Sequence, residues 1–252
     1  MLLGERAAEL LRYHRENAGH PILTAARAEV ICRSRYAEDR LAEAMAAGVR
    51  QYVLLGAGLD TFAYRSALAD GLRVFEVDQP GTQCWKRAAL AHAGIGEPPG
   101  VSYVAANLGR DPLPAALAAA GFDFAEPAVI ACLGVLMYLR SSDIPAVLAC
   151  LARCRPGSQL IADFMLPEEL RDPAGNQYVQ LVAAAAAQGG EPWQTFLTPA
   201  QMSALLAGHG SFGADYRRQR DLVPAALWER SDSLQPISLS MVVRVNRRQL
   251  AG

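Results

Sequence analysis

Apolar runs and amphipathic stretches alternate along the first two thirds of the chain. Residues 5–16 and 24–47 repeat apolar side chains at helical spacing, and the second stretch stops at Gly48, a residue suited to end a helix. "QYVLLG" (51–56) is an unbroken apolar run of strand length, and Asp60 or Thr61 after it can cap a following helix. "RVFEVD" (73–78), "VSYVAAN" (101–107), "PAVIACL" (127–133) and "SQLIADFM" (158–165) read as further strands. Helical patterns separate them at 81–94, 112–121 and 141–157, the last opening on Ser141-Ser142-Asp143 and closing at Pro156-Gly157. Five strands joined through helices predict right-handed crossovers and an α/β fold: a doubly wound, mainly parallel sheet covered on both faces.

The pattern then changes. Residues 165–197 are rich in Pro, Glu and Ala with no clean strand, and predict a helical lid inserted over the sheet edge. Thr198-Pro199 starts a helix, "SFGADYRR" (211–218) is a strand candidate, and "SLSMVVRVN" (238–246) is a clear last strand. Two strands joined by a loop predict an antiparallel hairpin ending the sheet. With no repeat and no dividing linker, residues 1–252 read as one domain with a helical cap at 1–48.

In such a sheet, ligands lie beyond the carboxyl ends of the strands where the crossover direction switches. The first strand ends in "GAGLDT", whose Gly56 and Gly58 let a ligand approach the backbone. Asp78 ends the second strand twenty residues after Gly58, where a carboxylate can accept both hydroxyls of a ribose. This pairing points to a nucleoside-containing cofactor. A dinucleotide site would continue to a third glycine, where this chain has Thr61. S-adenosylmethionine has no phosphate to cradle, and the terminal hairpin points the same way.

"LLGAGLDTFAYR", "FEVDQPGTQCWKRAAL" and "LGVLMYL" resemble the leucine carboxyl methyltransferase family, including its bacterial members that methylate small natural products. The resemblance runs from about Arg33 to Asp163 and is loose in the last third. It implies a class I methyltransferase-like fold and S-adenosylmethionine as cofactor. It further implies that Arg33 meets the carboxylate of the cofactor's methionine part, that Gly56 and Gly58 line the cofactor, that Asp78 holds the ribose and that Asn107-Leu108 flank the adenine. Three residues depart from the family pattern: Phe62 replaces arginine, Asn107 aspartate and Leu133 glutamate. Asn107 can still accept from an adenine amino group through its side-chain oxygen. Leu133 removes a counter-charge beside the methionine moiety, which lowers an amine's pKa.

The implied reaction is methyl transfer to a carboxyl or hydroxyl of a small metabolite. A neutral cofactor amine would open an alternative, closure of S-adenosylmethionine itself to azetidine-2-carboxylate with expulsion of methylthioadenosine. A cofactor-binding scaffold without chemistry is a third reading. Tyr138 and Asp163 are expected on the rim near the reacting carbon, while Tyr178 and Trp193 of the lid can pack around a sulfonium. Of four histidines only His20 is kept as a candidate base.

Composition narrows the partners. A net charge of -1 gives no nucleic-acid or acidic-membrane footprint. Five cysteines without a CxxC pair argue against a disulfide framework and a zinc site, although Cys150 and Cys154 share a helix face. The first seventeen residues interrupt their apolar stretch with charges, unlike a signal peptide, and no run reaches membrane-spanning length; the expectation is a cytoplasmic protein with a small-molecule substrate. Oligomeric state is not readable.

Overall fold

The computed structural model describes residues 6–210 and 212–248. Seven strands form one sheet: β1 (Gln51–Leu55), β2 (Arg73–Asp78), β3 (Val101–Ala105), β4 (Ala128–Cys132), β5 (Gln159–Met165), β6 (Phe212–Arg218) and β7 (Ser240–Arg247), in the order β3-β2-β1-β4-β5-β7-β6. The first five pair in parallel; β7 runs antiparallel to both of its neighbours, β5 and β6. The hairpin read from residues 211–246 is therefore present, its last strand inserted against β5.

Among the described residues eight α-helices complete the fold: α1 (Arg6–Glu16), α2 (Pro21–Ala46), α3 (Phe62–Arg65), α4 (Pro80–His92), α5 (Leu113–Ala119), α6 (Ile144–Arg153), α7 (Pro173–Gln188) and α8 (Pro199–Ala207). Alternate side chains of the apolar strands enter two cores, as sheet pleating requires. Val53, Leu55, Phe75, Val77, Ile130 and Cys132 face one core, which α5, α6 and α8 close with Leu117, Leu148, Leu151 and Met202. Tyr52, Leu54, Val74, Val129 and Ala131 face the other, which α2 closes with Tyr36, Ala37, Leu41 and Ala44. A third cluster joins the start of α2 to α7 through Ala25, Met137, Met165, Tyr178 and Leu239.

Two differences from the sequence reading concern the helices on either side of β1. α2 starts at Pro21 rather than at residue 24, and Thr24 Oγ1 donates back to the carbonyls of His20 and Pro21. The helix expected after β1 is one turn, α3, followed by a 3-10 turn at Ala67–Gly71. Asp60 Oδ1 starts it by accepting from Phe62 N–H at 2.6 Å, but α2 already covers this sheet face, so a longer helix has no surface to bury. In the lid region Met165 still belongs to β5; a 3-10 turn at Glu168–Leu170, α7 and an extended segment make up the remainder. That segment is pinned across the strand ends, Gln194 N–H donating to Met137 O and Leu197 N–H to Met165 O.

Candidate functional site

The strand order reverses between β1 and β4, and residues just beyond the carboxyl ends of β1, β2, β3 and β4 surround the crevice expected at such a switch point. After β1 the chain turns through Gly56 (φ +67°) and Gly58 (φ +43°), left-handed conformations that a side chain disfavours. Gly56 and Ala57 N–H both donate to Val77 O, binding the turn to the end of β2. A β-carbon on Gly56 would lie 2.4 Å from Val135 Cγ2, so only glycine fits between the two walls.

Asp78 fastens the same turn from the side. Its Oδ2 accepts from Gly58 N–H at 2.6 Å and its Oδ1 from Gln79 N–H at 2.7 Å. Each oxygen keeps a lone pair for a further donor. Beneath the turn, Lys86 Nζ donates to Asp60 O and to Glu76 Oε2, both at 2.6 Å. Lys86 and Glu76 are each 1% exposed. Burial pushes the Glu76 carboxyl upward, and the Lys86 charge opposes that shift. The sequence reading had no role for this pair, although Lys86 is the chain's single lysine.

On the other side, β4 runs into Leu133 and Gly134, the latter at φ +71°. Gly134 N–H donates to Asp163 Oδ1 at 2.5 Å, and Arg33 Nη1 donates to Asp163 Oδ2 at 2.9 Å. The Arg33 guanidinium passes so close to Gly134 that a β-carbon there would lie 2.4 Å from Nη2. One turn earlier on α2, Glu29 is buried and accepts from Gln219 Nε2 at 2.7 Å and from Ser240 Oγ. Burial raises the Glu29 pKa; hydrogen bonding to Ser240 and the Arg33 charge pull it down, and the nearby Asp163 charge pushes it up.

Two cavities meet at the glycine turn. The larger, about 570 Å³, extends over Asp78, Asn107 and Leu108 to Val135, Tyr138 and Gln194. The smaller, about 310 Å³, lies between α2 and the turn and is lined by Arg33, Ser34, Asp60 and Leu133. Gly56 and Gly58 line both. All seven residues expected to hold the cofactor, Arg33, Gly56, Gly58, Asp78, Asn107, Leu108 and Leu133, thus border one or the other of two cavities that share the Gly56–Gly58 turn.

The expected catalytic residues separate. Tyr138 lines the larger cavity. Asp163 does not lie on the rim: it is 1% exposed, with both carboxylate oxygens occupied. Tyr178 is packed with Ala25, Met137 and Leu239 and borders neither cavity, so it is not placed to pack around a sulfonium there, and burial raises its phenol pKa. Trp193 packs against Phe196 rather than into the groove. His20 is the exposed N-cap residue of α2, away from both cavities. Phe62 stacks edge-on against Tyr52 in the core, its ring centroid 4.9 Å away. Among the described residues no three metal-ligating side chains come together, and no helix is long and apolar enough to cross a membrane.

Sequence relatives agree with this geometry. An S-adenosyl-L-methionine-dependent methyltransferase candidate of Mycolicibacterium paratuberculosis is 33% identical over 208 residues, covering 73% of this chain and 66% of the relative. A similarly named protein of Mycolicibacterium smegmatis is 40% identical over 150 residues, covering 59% of this chain and 50% of its own. The chain therefore spans about half to two thirds of the length of these relatives. In fold, a candidate methyltransferase of Thermobifida fusca superposes with a TM-score of 0.64 at 22% identity, covering 98% of this chain and 92% of that one. A DUF574 family protein of Streptomyces avermitilis gives 0.66 at 20% identity, covering 92% and 87%. The sequence profile of leucine carboxyl methyltransferases matches residues 3–152, and the chain belongs to that family.

Proposed function

We propose that this chain is an S-adenosylmethionine-dependent methyltransferase acting on a carboxyl or hydroxyl group of a small metabolite. The observation that carries the reading is the pair of cavities joined at Gly56 and Gly58, bordered by every residue expected to hold the cofactor. Their sizes fall in the roughly 300–1,000 Å³ range of small-molecule sites. The donor set fits too: Asp78 retains lone pairs for the ribose, Asn107 offers an amide to the adenine edge, and Arg33 presents a guanidinium to the methionine carboxylate.

Bound there, S-adenosylmethionine supplies an electrophilic methyl group, and the chain's residues have alignment and exclusion of water left to provide. The glycine turn and Val135 restrict the groove where the two cavities meet, fixing the direction in which a cofactor crosses it. The segment holding Gln194, bonded to Met137 and Tyr138, walls off the far end of the larger cavity. No histidine or lysine lines that cavity among the described residues. Of its acids, Asp78 is committed to the turn and Asp143 is paired with Arg140, which leaves the exposed Glu191. A carboxylate acceptor, which needs no base, suits this lining better than a hydroxyl.

The cyclisation alternative rests on Leu133, which borders the smaller cavity. The buried Asp163 carboxylate, bonded to the Arg33 guanidinium, nevertheless supplies negative charge behind that wall, so we favour transfer. The test is to incubate the pure protein with S-adenosylmethionine, with and without a panel of small acids and phenols, and to analyse products by mass spectrometry. S-adenosylhomocysteine plus a methyl ester or ether is expected. Methylthioadenosine and azetidine-2-carboxylate formed without acceptor would replace transfer by cyclisation, and tight binding with no product in any mixture would leave a scaffold.

A further inference from the structure

Asp163 joins two walls that approach the groove from unrelated parts of the chain. Its Oδ2 holds Arg33 of α2, 130 residues earlier, and its Oδ1 holds the Gly134 amide at the end of β4. Gly134 is followed by Val135, whose side chain rests on Gly56. A carboxylate with no exposed surface thus sets the position of Arg33 and of the turn that narrows the groove, while touching neither cavity.

Glu29 is the competing acceptor. It sits four residues before Arg33 on α2, but Gln219 and Ser240 occupy its oxygens, and the guanidinium is left to Asp163. An asparagine at 163 has one acceptor oxygen where the carboxylate has two. It can satisfy the Gly134 amide only by turning its amino group toward Arg33, donor against donor, and the guanidinium is then drawn to Glu29.

We propose that Asp163 is a positioning residue for the amino-acid end of the cofactor: it holds the Arg33 guanidinium, which lines the smaller cavity, in register with the Gly134–Val135 turn, which lines the larger one, on either side of the Gly56–Gly58 turn that the two cavities share. This rests on the reading of the groove as an S-adenosylmethionine site, with the nucleoside at Asp78 and the methionine part toward Arg33.

Calorimetric titration with two ligands tests it. S-adenosylhomocysteine carries the amino-acid end, whereas 5′-methylthioadenosine keeps the nucleoside and lacks the carboxylate. Asp163→Asn should weaken S-adenosylhomocysteine by about tenfold or more and leave methylthioadenosine within about twofold of the unmodified protein. Equal weakening of both ligands, or unchanged or tighter S-adenosylhomocysteine, overturns the proposal. Should Asp163→Asn alone fail to fold, the double variant Arg33→Gln/Asp163→Asn removes both charges together and is compared with Arg33→Gln. The pair should bind S-adenosylhomocysteine as weakly as Arg33→Gln alone, because Asp163 acts through Arg33; a further, additive loss counts against it. Failure of the unmodified protein to bind either ligand removes the cofactor reading itself, a result separable from every outcome above.

Discussion

Gly56 and Gly58 share a left-handed turn, yet a methyl group would be felt differently at the two. At Gly58 an added β-carbon finds nothing nearer than 3.9 Å, so Gly58→Ala costs backbone strain alone, on the order of 1–3 kcal/mol. At Gly56 the same strain is joined by overlap with Val135 Cγ2 at 2.4 Å. One wall must then move, and both border the larger cavity. Gly56→Ala is expected to lose S-adenosylhomocysteine binding altogether, and Gly58→Ala to weaken it while remaining measurable. Adding Val135→Ala should recover part of the loss at 56 and none at 58. Parallel titrations and thermal melts check this, and equal behaviour of the two alanine variants would show that the Gly56–Val135 contact does not shape the groove. The glycines were legible in the sequence because strand-end glycines at that spacing imply a turn. Val135 was not, because its approach to Gly56 depends on β4 lying beside β1.

At the scale of elements, α2 makes the largest departure from a plain doubly wound sheet, since it takes the face where a crossover helix after β1 would pack. Its anchor to the C-terminal hairpin is the buried Glu29, bonded to Gln219 and Ser240. Because burial raises the folded-state pKa of Glu29, its favourable contribution is complete below the ordinary glutamate value and is lost as pH rises through the raised one. Glu29→Gln cannot ionise and escapes that loss. The variant should melt above the unmodified protein at pH 8, by about 2–4 °C for each kcal/mol recovered, and the gap should close toward pH 4. A variant less stable than the parent at pH 8 would mean that the ionised carboxylate is worth more to α2 than its desolvation costs. Strands β1 to β5 were readable to within a residue or two because buried parallel strands are continuous apolar runs. The charge networks were not: Glu29 meets Ser240 across 211 residues, and Arg33 meets Asp163 across 130. The spacing of Glu29 and Arg33 on one helix face was the only available sign.

Over the whole molecule, the sheet separates two apolar cores, and the cysteines sample both. Cys132, Cys150 and Cys154 lie in the core under α5 and α6, Cys32 in the one under α2, and Cys84 is exposed on α4. Burial pushes the Cys32 thiol up to about 11 and those of Cys150 and Cys154 to about 12, and raises Cys132 as well, so the four are both hidden and short of thiolate at neutral pH. A thiol reagent should therefore modify one cysteine quickly in the native protein, and Cys84→Ser should abolish that reaction. The remaining four report whether the fold is one cooperative unit. All seven strands belong to a single sheet whose β1, β4 and β5 contribute side chains to both cores, so neither core can open while the other keeps its strands intact. In a urea series the four buried thiols should become reactive in one transition, at the midpoint seen by circular dichroism. Exposure of Cys32 at lower urea than the other three would instead show that α2 and the α2-side core unfold as a separate unit, and would tie the Arg33 wall of the groove to that weaker part of the protein.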